Sequence, residues 1–263
     1  MKVWLPRDAA ARALGADDVA EALLTQARAR GIDLTLIRNG SRGMIWLEPL
    51  LEIETTAGRI GFGPVTPADI AGILDAPEAH PKALGLVEVL PWMARQTRLT
   101  FARCGVIDPL SLADYEAHGG LSGLRRAMGM DGAGIVAEVT ESGLRGRGGA
   151  GFPTGIKWDT VRKAEADRKY IVCNADEGDS GTFADRMIME GDPFTLIEGM
   201  IIAGLGVGAT KGFVYLRSEY PDAIEVMNVA VSIAREAGLL GASVLGTGPA
   251  FDMEIRVGAG AYV

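Results

Sequence analysis

The residues best suited to chemistry crowd into one run, Gly143 to Trp158 (GLRGRGGAGFPTGIKW), which holds six glycines, two arginines and one lysine. Glycine lets the backbone take positive φ and approach a ligand closely, so successive N–H groups can point at phosphate oxygens while Arg147 and Lys157 supply charge. The run is neither GxxxxGK[ST] nor a GxGxxG between a first strand and its helix, so a Walker or Rossmann assignment does not hold. A glycine-rich turn can be purely structural. The length of this one, its paired charges and Phe152 after Gly151 favour nucleotide binding. A second cluster, Asn174-Ala175-Asp176-Glu177-Gly178-Asp179-Ser180-Gly181, follows the apolar run Tyr170 to Cys173. Ligands of open α/β sheets collect at the carboxyl ends of strands, and Asn and Asp there suit the polar edge of a heterocycle and the hydroxyls of a ribityl or ribose chain. The plainer alternative is an Asx-rich turn that caps the next helix. A Mg²⁺ or Ca²⁺ site is disfavoured because the carboxylates lack an alternating EF-hand spacing. A third segment, Val257 to Val263, ends a further strand, and its Tyr262 either faces a cofactor or serves as a core aromatic.

Elements that position these loops are legible from periodicity. Strands are expected at Tyr170 to Cys173, Phe213 to Leu216 and Met253 to Val257, alternating with helices, which is an α/β pattern. The clearest helix spans Asp222 to Ala237, with Ile224, Met227, Ala230, Val231 and Ala234 near 3.6-residue spacing and Gly238 as its stop. Upstream, Lys2 to Leu5, Asp33 to Ile37, Leu50 to Glu54 and Arg59 to Phe62 read as strands. Asp18 with Glu21 suggests a capping box for a helix carrying Val19, Leu23 and Ala27, and Thr66-Pro67-Ala68-Asp69 opens a closing helix. That order suits a thioredoxin-like domain over residues 1–75. A linker is expected over 76–95 and a second α/β domain over 96–263.

With 263 residues and 48% apolar composition, one large core or two smaller ones can form. A formal charge of −8 does not supply the basic face that nucleic acid requires. The longest apolar stretch, near Met200 to Ala209, is too short and glycine-rich to span a bilayer, and no signal-peptide core follows Met1, so a cytoplasmic chain without membrane insertion is expected. Cys104 and Cys173 lie far apart and read as buried small hydrophobes, while His80 and His118 show no metal-pair spacing. No metal is expected from this stretch alone.

Taken together, Gly143 to Trp158, Tyr170 to Gly181 and Gly258 to Val263 resemble the family of FMN- and NADH-binding subunits of respiratory complex I. That family includes the diaphorase subunits of NAD-reducing hydrogenases and of NAD-dependent molybdenum formate dehydrogenases. The wording Glu177-Gly178-Asp179-Ser180-Gly181-Thr182-Phe183 with Gly191-Asp192-Pro193-Phe194, behind a thioredoxin-like domain, is most similar to the formate dehydrogenase beta subunit and the hydrogenase flavoprotein. The resemblance implies FMN contacts from Gly146, Arg147, Gly148, Gly149, Lys157, Asn174, Asp176, Glu177 and Tyr262. It implies NAD(H) contacts from Gly149, Gly151, Phe152, Glu177, Asp179 and Tyr262, with Phe152 stacking on adenine. Thr160 stands near where some relatives carry a second aromatic, which implies a looser clamp.

Two departures accompany the likeness. Where thioredoxin-like iron–sulfur relatives carry Cys-x-x-x-Cys before a proline, this chain has Ser41 and Ile45 before Pro49, and neither offers a thiolate. The N-terminal domain is therefore expected to act as a docking surface without a [2Fe-2S] cluster. The family also continues beyond the position of Val263 into a cysteine-rich region that ligates a [4Fe-4S] cluster. Implied partners are a small thioredoxin-like [2Fe-2S] subunit and a molybdenum-containing catalytic subunit. Hydride exchange between nicotinamide and flavin asks little acid–base chemistry of the protein, so no catalytic residue is assigned. A silent docking scaffold and a phosphoryl-transfer enzyme are the competing classes; the latter lacks any set of groups for Mg²⁺ and phosphoryl transfer beyond the loop.

Overall fold

The computed structural model describes residues 1–260, which fall into two compact units: residues 1–111 with Glu190–Asp192, and residues 112–189 with 193 onward. In the first unit the elements are β1 (Lys2–Trp4), α1 (Ala9–Ala13), α2 (Ala16–Ala29), β2 (Thr35–Ile37), β3 (Leu51–Thr55), β4 (Gly58–Phe62), α3 (Ile70–Asp75), β5 (Ala83–Leu86) and α4 (Pro91–Ala94). The sheet order is β2-β1-β3-β4-β5, with β1 and β2 parallel and the other pairs antiparallel. Val19, Ala20, Leu23 and Ala27 form the buried stripe of α2. This stripe and α3 pack Leu23, Ile70 and Ile73 onto Val3, Leu51 and Phe62 of the sheet, removing large apolar side chains from water.

Three expectations need correction here. Residues 76–95 are not a linker: they contribute β5 as the fifth strand and bury Val87 and Met93 against Met44 and Leu50. The unit accordingly runs on to Ser111 instead of ending near residue 75. Asp18 and Glu21 form no capping box, because α2 starts earlier, behind Gly15 in a left-handed conformation with φ of 95°. By contrast Thr66 and Asp69 do form a capping box, ahead of α3.

A buried ionic cluster fills the unit beside the apolar core. Arg42 donates to both oxygens of Glu52 at 2.5 and 2.8 Å and to Glu88 at 2.8 Å, a bidentate geometry that offsets part of the cost of desolvating the charges. Ser41 donates its hydroxyl to buried Glu48 at 2.7 Å. Glu48 also accepts from the Leu50 amide at 2.9 Å. Neither Ser41 nor the groups around it fit an iron–sulfur cluster, since no thiolate stands there.

The second unit comprises α5 (Leu112–Ala117), α6 (Ser122–Ala127), α7 (Gly132–Glu141), α8 (Thr154–Lys163), β6 (Tyr170–Ala175), α9 (Ala184–Gly191, whose last two residues are grouped with the first unit), α10 (Pro193–Val207), β7 (Lys211–Leu216), α11 (Pro221–Glu236) and β8 (Asp252–Val257). Its three strands pair in parallel in the order β6-β7-β8, in register from Tyr170, Lys211 and Asp252 to Ala175, Leu216 and Val257. Parallel strands need long crossovers, which α9 with α10 and then α11 provide. The three strands expected from sequence are found, each a little longer, and Gly238 ends the helix with a left-handed φ of 72°.

Helix α10 is apolar around most of its circumference because most of its positions are buried, packing on β6 and β7 and also on α6, α7, α8 and α11. Its one buried carboxylate, Glu198, accepts from the amides of Leu121 at 2.9 Å and Leu124 at 2.8 Å and from the Tyr115 hydroxyl, which satisfies the start of α6. Among the described residues no helix is long and apolar enough to cross a membrane.

Burial pushes the Glu48 carboxyl up from 4.5 to about 8, with the charge of Asp8 adding to the effect. A raised folded-state value means that the folded protein holds this proton where the unfolded chain has released it, so stability falls as pH climbs from 4.5 to about 8. Glu48→Gln is expected to remove this loss, which is on the order of a few kcal/mol. Calorimetric Tm values at the two ends of the window check it: wild type should lose stability relative to the variant as pH rises, and parallel curves would contradict it.

Candidate functional site

The glycine-rich loop leaves α7 and closes on itself before α8. The Gly146 amide donates to the Phe152 carbonyl at 2.8 Å, the Thr154 amide to the Leu144 carbonyl at 2.9 Å, and Arg145 Nε to the Gly151 carbonyl at 2.6 Å. Gly149 and Gly151 turn the tip with φ of 103° and 60°, a region in which a side chain is strained. Arg147, Gly148 and Gly149 are exposed at that tip, and Phe152 is 49% exposed beside it. Lys157 is exposed in the first turns of α8, and among the described residues neither Arg147 nor Lys157 is drawn into an ion pair with a carboxylate. The α8 N-cap is Pro153, which brings no side-chain cap; the Thr154 amide is taken by Leu144, and the next amides of the helix, Gly155 and Ile156, with the two cations form a donor set suited to a phosphate. Thr160 is exposed, with its hydroxyl donated to the Ile156 carbonyl at 2.9 Å.

What fixes the mouth of this loop is a close approach of α7 and α8. A Cβ on buried Gly155 would lie 2.1 Å from Thr140 Oγ1 and 2.7 Å from Thr140 Cα. Only glycine permits that separation.

The polar cluster sits at the carboxyl end of β6, as expected of an open α/β sheet. Asn174 Oδ1 accepts from the Asp176 amide at 3.2 Å, while Asp179 is exposed. Glu177 behaves differently. Its Oε1 accepts from the Asp185 amide at 2.8 Å, and its Oε2 accepts from the Arg186 amide at 3.2 Å and from the Tyr220 hydroxyl at 3.1 Å. It caps α9, the alternative that the sequence left open for this cluster. Arg217 Nη1 donates to the Glu177 carbonyl at 2.8 Å, tying the loop after β7 to the loop after β6. Burial and the nearby Glu177 charge raise both the Asp185 carboxyl and the Tyr220 phenol.

The parallel sheet therefore brings Asn174 to Asp179 and Gly258 to one edge. The Gly258 amide donates to the Leu216 carbonyl at 2.8 Å, and a Cβ there would sit 3.1 Å from the Tyr215 hydroxyl. Tyr262 lies outside the described residues. The hydrogen bonds of the glycine loop run within itself, so its role is carried by its own geometry. Sequence reasoning missed Asp185, Arg217 and Tyr220: Glu177 stands eight positions before Asp185, not at the three-residue spacing that marks a capping box, and Tyr220 comes from another crossover.

Beneath the end of β6 lies a cavity of about 120 Å³ lined by Cys173, Asn174, Ala175, Asp185, Ile188 and Met189 among others. Burial pushes the Cys173 thiol up to about 11 and the Cys104 thiol up to about 12, so neither offers a thiolate near neutral pH. Among the described residues no group of three or more His, Cys, Asp or Glu is placed to hold a metal ion.

Parts of the chain are similar to known proteins. Residues 139–263 match the family described as the Nuo51 FMN-binding domain. The chain is 52% identical over 169 residues to the NADP-reducing hydrogenase protein HndC of Solidesulfovibrio fructosivorans, covering 64% of this chain and 34% of that protein. It is 38% identical over 193 residues to an NADH-quinone oxidoreductase subunit of Salmonella typhimurium, covering 73% and 40% respectively. Against the alpha subunit of the NAD-reducing hydrogenase HoxS of Cupriavidus necator it is 46% identical over 130 residues, covering 49% and 22%. A crystal structure of an NAD⁺-reducing [NiFe]-hydrogenase in the H2-reduced state aligns with 99% of this chain and 43% of that one, at 25% identity and a TM-score of 0.49. The stretch 139–263 thus matches an FMN-binding domain, and the chain shares sequence with subunits named for NADH-quinone oxidoreductase and for NAD(P)-reducing hydrogenases. The chain spans well under half the length of each of these relatives.

Because the Gly155 and Thr140 contact sets the α7 and α8 spacing, Gly155→Ala is expected to cost roughly 1–3 kcal/mol by overpacking. A lowered Tm in thermal unfolding checks it, and an unchanged Tm would show that the helices separate freely.

Proposed function

We propose that this chain is the flavin-binding part of a diaphorase subunit that exchanges hydride between NAD(H) and FMN in a larger NAD-linked redox complex. The observation that carries the proposal is the glycine loop, whose exposed tip, two cations and open α8 amides form an anion cradle within a stretch that matches an FMN-binding domain. Relatives named as NADH-quinone oxidoreductase and NAD-reducing hydrogenase subunits support the nicotinamide side.

In this reading Gly146 lines the site while its amide closes the loop, the amides of Gly148 and Gly149 with Arg147 and Lys157 hold the FMN phosphate, and Asn174 and Asp176 hold the heterocycle edge and ribityl hydroxyls. Phe152, half exposed beside Gly151, stacks on adenine, and exposed Asp179 accepts from ribose hydroxyls. Tyr262 is assigned beside the isoalloxazine on the resemblance alone. When bound, FMN supplies two-electron exchange with nicotinamide and stepwise electron passage to iron–sulfur centres. The chain's own task is binding, orientation and charge, so no general base is assigned.

The N-terminal unit is read as a thioredoxin-like docking domain, supported by its parallel β1–β2 pair and antiparallel β3 and β4. A complex I or hydrogenase assembly is favoured by the named relatives. The formate dehydrogenase reading, with a molybdenum-containing partner, a [2Fe-2S] partner and a cytoplasmic setting, rests on motif wording alone.

Absorbance of the complete purified complex before and after NADH is expected to show flavin bands that bleach. Lys157→Ala and Asp176→Ala should each lower bound flavin about tenfold or more, since a charged hydrogen bond contributes on the order of 1.5–3 kcal/mol. Full flavin retention in both variants would refute the contact map, and a colourless wild-type complex would refute the function.

A further inference from the structure

We propose that Tyr220 and Arg217 are positioning residues for the polar loop after β6, acting through Glu177, which anchors that loop and is not a ligand of flavin or dinucleotide. The inference rests on the FMN reading above for its functional consequence. Its structural basis is separate. Three of the roughly four acceptor positions of a carboxylate are filled on Glu177 from within the chain: by the Asp185 amide at 2.8 Å, the Arg186 amide at 3.2 Å and the Tyr220 hydroxyl at 3.1 Å. The Glu177 carbonyl takes a fourth contact, from Arg217 Nη1 at 2.8 Å.

These bonds hold a conformation that glutamate does not favour. Glu177 has φ of 44° and Phe183 has φ of 53°, left-handed values that are costly for side-chain-bearing residues unless the surroundings enforce them. Phe183 is held in turn: its ring packs 6.4 Å from that of Tyr220, with the Arg186 guanidinium 4.4 Å over it. Both strained residues bracket the loop that carries Asp179. Asn174 and Asp176 enter it directly from β6. The carboxylate at the start of α9 also meets the positive end of that helix, so charge favours the same geometry.

Released from the anchor, the loop has two strained residues to relax. Asn174, Asp176 and Asp179 then lose the fixed spacing that a preorganised site needs. Tyr220 and Arg217 reach the loop from the crossover after β7, so they act on the ligand through Glu177.

The test uses the complete complex as wild type, Tyr220→Phe and Glu177→Gln, with amide hydrogen exchange over residues 176–189, FMN dissociation constants and NADH turnover at saturating FMN. Tyr220→Phe is expected to speed exchange and weaken FMN roughly three- to tenfold, with kcat within about twofold of wild type once flavin is saturating. Glu177→Gln, which loses an acceptor against two amides, is expected to weaken FMN by about tenfold or more with a near-native circular dichroism spectrum. Unchanged exchange, or faster exchange with unchanged FMN affinity, would overturn the proposal. So would a raised KM for NADH in Glu177→Gln at native FMN affinity, since that marks a direct dinucleotide contact. A wild-type complex without FMN would instead sink the flavin reading, and the exchange rates would still decide whether Glu177 is an anchor.

Discussion

Parallel pairing of β6, β7 and β8 is the constraint from which the site follows. Parallel strands in register leave the sheet at the same edge, so the chain after Ala175, after Leu216 and after Val257 emerges side by side. Residues about forty positions apart then come within hydrogen-bonding distance: Arg217 and Tyr220 reach Glu177, and Gly258 bonds back to Leu216. An antiparallel arrangement would send alternate exits to opposite edges and disperse these groups. The register depends in turn on α10, whose largely apolar surface is usable only because sheet and helices cover most of it. Close approach at Gly204, where a Cβ would meet the Phe251 ring at 2.5 Å, and the amides collected by Glu198 secure that helix.

The second constraint is the contact of α7 with α8 at Gly155. It holds the two ends of the glycine loop at a fixed separation, so the loop closes by hydrogen bonds between Gly146 and Phe152 and between Leu144 and Thr154 while its tip remains open. The anion cradle proposed for this loop calls for rigid ends and a pliable tip. The rigid ends come from a packed helix pair, and the tip from glycines whose left-handed torsions carry no Cβ penalty.

Strands and long helices were legible because their periodicity is local: β6, β7, β8 and α11 appear where alternation and 3.6-residue spacing put them. The glycine loop stood out by composition, and what the structure shows of it is a loop closed at its ends with an exposed tip. Two kinds of feature were not readable. One depends on partners distant in sequence, as with Glu177, whose carboxylate is shared between the first amides of α9 and a tyrosine 43 positions away. The other is a short strand in a proline-bearing stretch: Ala83 to Leu86 has too few residues to show alternation, and it is a strand because β4 offers a free edge. The misplaced capping box at Asp18 has a related cause. A left-handed Gly15 starts α2 early, and Asp17 is then engaged by Arg12 at 3.1 Å and Arg38 at 2.7 Å.

The first unit sets a buried polar cluster beside its apolar core. The Ser41 hydroxyl there serves Glu48, a carboxyl group that is itself buried. Burying Glu48, Glu52 and Arg42 together costs solvation that the hydrophobic effect alone would not favour, and the bidentate Arg42–Glu52 pair returns only part of it. Such a cluster is therefore weak as a source of stability. What it does supply is geometric: Arg42 links the residues after β2 to β3 and to Glu88 beyond β5, fixing segments of the unit that the apolar core around Phe62 does not reach. Fixity of this kind matters to any surface that binds, because ordering a loose surface on binding subtracts directly from affinity.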